Sequence, residues 1–188
     1  MAKAGLDKDA VLQTAIMIAD EKGLSKITLK ELAERLRVKT PSLYNYVDSL
    51  QGLYSMMAVF GLQSLRAELV EAVIGLSGKE AIYAMGKAYI RFPRKHPGLY
   101  EATQSVGNWQ DERAKQLSDE IIKLVSKVMS AFPIAEQDVT HIIRMFRCLF
   151  HGFASLDRSE GFGNPVPVDD SFHIALEIML EGIKTKYN

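Results

Sequence analysis

Between Ile27 and Tyr54 the sequence reads ITLKELAERLRVKTPSLYNYVDSLQGLY, two short amphipathic patterns separated by a tight turn. This arrangement constrains the fold most, because two helices so closely joined must cross at short range. Thr28 and Glu31 form a capping box, in which the threonine oxygen takes a free amide and the glutamate returns the bond. Leu32, Ala33 and Leu36 then fall at helical spacing and make one narrow apolar face. Ala33 is small enough to admit a crossing helix. Arg37 and Val38 make the turn, with Val38 as its apolar plug. Thr40 is placed to cap the second helix and Pro41 to occupy its first position, where a missing N–H costs nothing. Leu43 and Val47 lie one helical turn apart and face inward. Ser42, Asn45 and Tyr46 are left pointing outward, with Thr40 at the tip and Tyr44 at the edge. An outer face that is uncharged and rich in hydrogen-bonding groups suits the floor of a DNA major groove.

Charge agrees with a local reader and excludes a general coat. The 188 residues carry 23 basic and 23 acidic side chains, a formal net charge of zero, which argues against binding nucleic acid over the whole surface. Lys22, Lys26, Lys30, Arg35, Arg37 and Lys39 nevertheless outnumber Glu31 and Glu34 around the first of the two helices. A solvated helix face gives the same pattern. With 47% hydrophobic and 24% charged residues the composition is that of a folded globular chain. Cys148 is the sole cysteine, so no intrachain disulfide forms and a reducing compartment is expected. No apolar run approaches the ~20 residues of a membrane span, and MAKAGLDKDAVLQTA lacks the continuous apolar stretch of a signal peptide. The expected location is cytoplasmic, with no membrane contact.

Helical periodicity continues along the whole chain. Asp7 or Asp9 caps a first helix ending at Gly23, whose stripe Val11, Ala15, Ile18 and Ala19 braces the two helices after it. A fourth helix is predicted from Leu50 to about Gly75, and a fifth from Lys79 to His96, stopped by Pro97-Gly98. A short helix covers Leu99 to Val106. A long one begins at Trp109 or Asp111 and ends before Pro133. The last two span Ala135 to about Ser159 and Asp170 to Lys186, with EGFGNPVPVD between them. Their stripes are wide: Ile142, Met145, Phe146, Leu149 and Phe153 on one, Phe172, Leu176, Met179, Leu180 and Ile183 on the other. Such stripes either bury within the chain or build half of a four-helix bundle with a second copy. Gly152, inside a helix, costs about 1 kcal/mol relative to Ala, which a closely crossing helix would offset. The fold class is all-α, about nine helices.

The run LKELAERLRVKTPSLYNYV resembles the helix-turn-helix of the tetracycline-repressor (TetR) family, through the threonine-capped first helix, Leu32-Ala33, Val38, Pro41, Leu43-Tyr44, Tyr46, Val47 and Leu53. The resemblance implies a DNA-binding domain over residues 1–48 and a helical ligand-binding and dimerisation domain over 49–188. It also implies that paired readers bind a palindromic double-stranded operator as a homodimer, as a repressor relieved by a small-molecule effector. On that basis Ser42, Tyr44, Asn45, Tyr46 and Thr40 meet bases and nearby phosphates, Pro41 sets the approach, and Lys30, Lys39 and the helix start at Thr28 grip phosphates. Two departures stand out. Tyr46 replaces a frequent histidine, and Leu50 replaces a lysine that usually meets a phosphate. Further along, FRCLFHGFASL and HPGLYEA are similar to a C-terminal class named for a Trp-His-Gly motif, whose tryptophan is missing here. The implied effector cavity draws its candidates from Phe60, Met85, Tyr89, Tyr100, Thr103, Trp109 and His151. Each is equally a core residue, although a buried Trp109 wants an acceptor for its indole N–H.

Other function classes have less behind them. His151, Ser155 and Asp157 supply the residue types of a hydrolytic triad, but Asp157 points away from the other two on a shared helix, and neither a nucleophile elbow nor a phosphate loop occurs. Cys148 and His151 are one metal-compatible pair where zinc needs three or four ligands. No catalytic residue, metal or cofactor is expected. An adaptor that binds protein through a retained reader fold fits Asp48 and Leu50. The outward Ser42, Asn45 and Tyr46 do not suit such a surface, where larger apolar residues are expected.

Overall fold

The computed structural model describes residues 6–105, 109 and 111–187, and among these every regular element is helical. In chain order they are α1 (Lys8–Lys22), a 3-10 turn (Leu24–Lys26), α2 (Leu29–Leu36), α3 (Thr40–Leu43), α4 (Leu50–Val73) and α5 (Gly78–Lys95). There follow α6 (Pro97–Gln104), α7 (Glu112–Met129), α8 (Glu136–Arg158) and α9 (Val168–Tyr187). The expected short helix to Val106 ends at Gln104, so its last expected residue lies outside the described ones. Packing divides the chain into two compact units, Met1–Ser64 with His96–Leu117, and Leu65–Lys95 with Ser118–Asn188. Helices α4 and α7 contribute residues to both.

The first unit is built on α1. The Asp7 carboxylate accepts from the Ala10 amide at 2.7 Å and starts the helix. Gly23 stops it, as expected, at φ 91°, ψ 152°, a backbone state open to glycine. Val11, Ala15, Ile18 and Ala19 are buried as their spacing requires, and so are Leu12, Thr14 and Ile16. The wider burial has a cause: α1 packs against α2 and also against α6. At that second contact a β-carbon on Gly98 would come within 2.3 Å of the Ala19 Cβ, so only glycine fits. Two carboxylates fasten the same contact. Asp20 Oδ1 accepts from the Gly98 amide at 2.7 Å, and Glu101 Oε2 accepts from the Leu24 amide at 2.6 Å. Each satisfies a donor that a helix start would otherwise leave bare.

The second unit packs α5, α8 and α9 around a run of aromatic rings. Phe150 meets Phe172 edge-on at 5.6 Å between centroids, Phe153 meets Phe172 at 5.3 Å, and Tyr89 lies 5.7 Å from Phe150. The wide stripes of α8 and α9 are largely consumed here. Ile142, Phe146, Phe172, Leu176, Leu180 and Ile183 are buried within the chain, which corrects their expected place at a surface between copies. Met145, Leu149, Phe153 and Met179 are half-buried. Among the described residues the close crossing expected at Gly152 does not occur, since none of them lies within 4 Å of a β-carbon there. It occurs at Gly86, where such an atom would stand 2.7 Å from the Phe172 ring.

Candidate nucleic-acid interface

The reader begins where Thr28 caps α2, its hydroxyl accepting from the Glu31 amide at 3.1 Å. Only half of the expected box forms. The Glu31 carboxylate turns instead to Lys22 Nζ at 2.6 Å and to Arg35 at 3.0 Å. Leu32 and Ala33 are buried, and α2 closes at Arg37, whose amide donates to the Ala33 and Glu34 carbonyls. Arg37 holds φ 55°, ψ 40°, a left-handed conformation. The Val38 amide donates to Ala33 O at 3.0 Å, so the turn is tied back on the helix it ends, and Val38 is half-buried as its apolar plug.

Helix α3 starts one residue earlier than expected. Lys39 is its N-cap, Thr40 its first helical residue and Pro41 its second, with no side-chain cap. Thr40 therefore does not cap the helix; Pro41, which lacks an N–H, remains inside the first turn where none is needed. The regular helix stops at Leu43, and a turn through Tyr44, Asn45 and Tyr46 extends it. The Val47 amide donates to Leu43 O at 3.0 Å, so both residues point to one side, and both are buried. Pro41, Tyr44 and Asn45 are exposed, Tyr44 to 53%. Thr40 and Ser42 are half-buried. Tyr46 is half-buried too, because its hydroxyl donates to the Leu6 carbonyl at 2.6 Å. That contact holds the start of α1 beside the reader and was not visible in the sequence, which had Tyr46 facing outward. Thr28, Lys30 and Lys39 are exposed.

Fixed carboxylates redraw the charge map. Arg35 makes a two-pronged pair with Glu21, at 2.9 and 2.6 Å, and Lys22 is held by Glu31. Hydrogen bonds from Arg35 hold the Glu21 carboxyl below its usual range, and those from Lys22 and Arg35 do the same for Glu31. Two of the six cations are thus neutralised within the fold. Lys26, Lys30, Arg37 and Lys39 make no ion pair among the described residues.

The remaining candidates separate by unit. Phe60, Tyr100, Thr103 and Trp109 belong to the first, Met85, Tyr89 and His151 to the second. Tyr100, Thr103 and Met85 are buried core, and the Thr103 hydroxyl is already bonded to Tyr100 O at 2.7 Å. Phe60, Tyr89, Trp109 and His151 are half-buried. The Trp109 indole N–H donates to Ala102 O at 3.3 Å, which supplies the acceptor it was expected to need. Burial, with Arg147 nearby, pushes the His151 imidazole below its ordinary value. Asp157, the carboxylate a local triad would use, is engaged by Arg94 Nε at 2.6 Å. Among the described residues no group of three or more His, Cys, Asp or Glu side chains could hold a metal ion, and no helix is long and apolar enough to cross a membrane.

A helix-turn-helix reader on an all-helical chain defines a class of DNA-binding regulators, and comparison with known proteins agrees. The family described as "Tetracyclin repressor-like, C-terminal domain" matches residues 82–179. The chain is 31% identical over 182 residues to the HTH-type transcriptional regulator YobS of Bacillus subtilis (strain 168), covering 96% of this chain and 94% of that one. It is 32% identical over 104 residues to the HTH-type transcriptional repressor DrrR1 of Streptomyces coeruleorubidus, covering 55% of this chain and 37% of that one. In fold it is similar to a solved protein of unknown function from Rhodococcus sp. RHA1, with a TM-score of 0.81, 21% identity, and 96% and 97% of the two chains covered. The chain belongs to the TetR family and is a DNA-binding transcription regulator.

Proposed function

We propose that the chain represses transcription as a homodimer on a palindromic operator and releases it when a small molecule binds. The observation that carries this reading is the division of labour over α3 and the turn that follows it: Leu43 and Val47 are buried, while Pro41, Tyr44 and Asn45 stand exposed. In this reading Tyr44, Asn45, Ser42 and Thr40 meet base edges and nearby phosphates, and Pro41 sets the approach. Lys30, Lys39 and the free amides at the Thr28 helix start grip phosphates. Tyr46 acts by fixing the Leu6 backbone and so contributes to the DNA face at second hand. The repressor sign is supported by DrrR1, a named repressor to which part of the chain is similar. Such a protein works where the DNA is, in the cytoplasm.

Dimerisation belongs to surface left over after the stripes are buried. Leu156 on α8 and Ile174 and Ile178 on α9 are exposed to 46%, 57% and 68%, and Gly152 lies one turn before Leu156 with none of the described residues against it. A second copy crossing there covers apolar side chains and gives the helix-interior glycine its use. This replaces the buried stripe residues as the proposed interface, with half-buried Met145, Leu149, Phe153 and Met179 at its margin. For the effector, each unit has its own candidates: half-buried Phe60 and Trp109 in the first, half-buried Tyr89 and His151 in the second, with Tyr100, Thr103 and Met85 buried. Asp157 held by Arg94 supports a non-catalytic role for the His151 helix.

Selection of bound duplexes from a random DNA pool, at two salt concentrations, tests the proposal. The expected result is an enriched palindrome with half-sites about one helical turn apart and an affinity that falls with salt. Absence of enrichment at either salt would sink it.

A further inference from the structure

We propose that Arg37, at the turn between α2 and α3, is a phosphate-binding residue of the reader. This inference rests on the DNA-contact reading given above. The turn demands a left-handed residue: at φ 55° the Arg37 amide reaches both the Ala33 and Glu34 carbonyls and closes α2. Glycine meets that demand without strain, whereas a β-carbon crowds the following carbonyl. Among the described residues one other non-glycine, Glu160, has a positive φ. A long cation at such a position needs an offset, and the fold supplies none. The Arg37 side chain is exposed, and it makes no ion pair among the described residues, not even with Glu34 in the preceding turn.

Its neighbours behave differently. Arg35 on α2 and Lys22 at the end of α1 are committed to Glu21 and Glu31. Arg37 is exposed two positions before exposed Lys39, in the turn that leads into α3 and on to exposed Tyr44 and Asn45. A guanidinium offers forked donors on a flexible stem, matched to phosphate oxygens. Leu50 lacks the cationic head of the lysine common at its position, and Arg37 restores one positive contact elsewhere on the reader.

The test uses the full chain and the duplex enriched from the random pool, titrated at several salt concentrations. Each phosphate contact contributes about 0.9 to the slope of log affinity against log salt. Arg37→Gly is expected to lower affinity about five- to tenfold near 0.1 M salt and to reduce the slope by about one contact. Its melting temperature is expected to stay level or rise, because the strained conformation is relieved. Arg37→Lys is expected to keep the slope. An unchanged slope and affinity in Arg37→Gly, with the wild type binding normally, would overturn the assignment and leave the reader intact. A wild type that enriches no duplex would overturn both.

Discussion

At Tyr44 the proposed reading role can be tested apart from folding. The residue is 53% exposed, while Leu43 before it is fully buried. Tyr44→Ala is therefore expected to reduce affinity for the selected duplex by roughly tenfold, about 1.4 kcal/mol, and to leave the melting temperature within a degree or two. A collapse of the fold in a melting scan would instead place Tyr44 in the core. The inward pair Leu43 and Val47 was legible because helical spacing alone decides it. Tyr46 was not: its acceptor, Leu6 O, is 40 residues away in sequence, and no local pattern announces it. Thr40 was misplaced as a cap for a smaller reason, a one-residue difference in where the helix begins.

At the scale of elements, caps and breakers placed the helices well, because they act through neighbouring residues. What the sequence could not show is which helices touch. The bond from Gly98 N to Asp20 spans 78 positions, and only the folded chain reveals that α6 lies on α1. A methyl group at this glycine would stand 2.3 Å from the Ala19 Cβ, so Gly98→Ala must force the two helices apart. The expected loss is about 1–3 kcal/mol, read as a lower denaturant midpoint at unchanged slope. Acid should loosen α1 from α2 in a different way. Glu21 and Glu31 are lowered from the usual 4.5 in the fold, so the unfolded chain takes up protons first as pH falls. Their contribution is complete above about pH 4.5 and disappears as pH drops through the lowered folded-state values. Both sit at the surface, so the effect is small. Melting scans from about pH 6 downward should show the gap between wild type and a Glu21→Gln, Glu31→Gln variant narrowing below pH 4.5.

For the whole molecule, the wide stripes of α8 and α9 suggested assembly, but most of that apolar surface closes the protomer's own core. Periodicity reports that a face is buried without saying by what. The exposed remainder makes a sharper prediction. Ile178→Glu places a charge on a residue 68% exposed, so the fold should survive by circular dichroism. Sedimentation should show the mass falling from dimer to monomer, with affinity for a palindrome dropping at least tenfold because one reader grips where two did. A dimer that persists would move the interface to another face. The chain also contains one tryptophan, and its indole N–H rests on the Ala102 carbonyl near the end of α6. Nature has thereby installed a single tryptophan fluorophore, separable from the tyrosines by excitation at long wavelength, beside the helix that packs on α1. Its emission colour and quenching can follow movement of that helix in unlabelled protein, during either effector or operator titration.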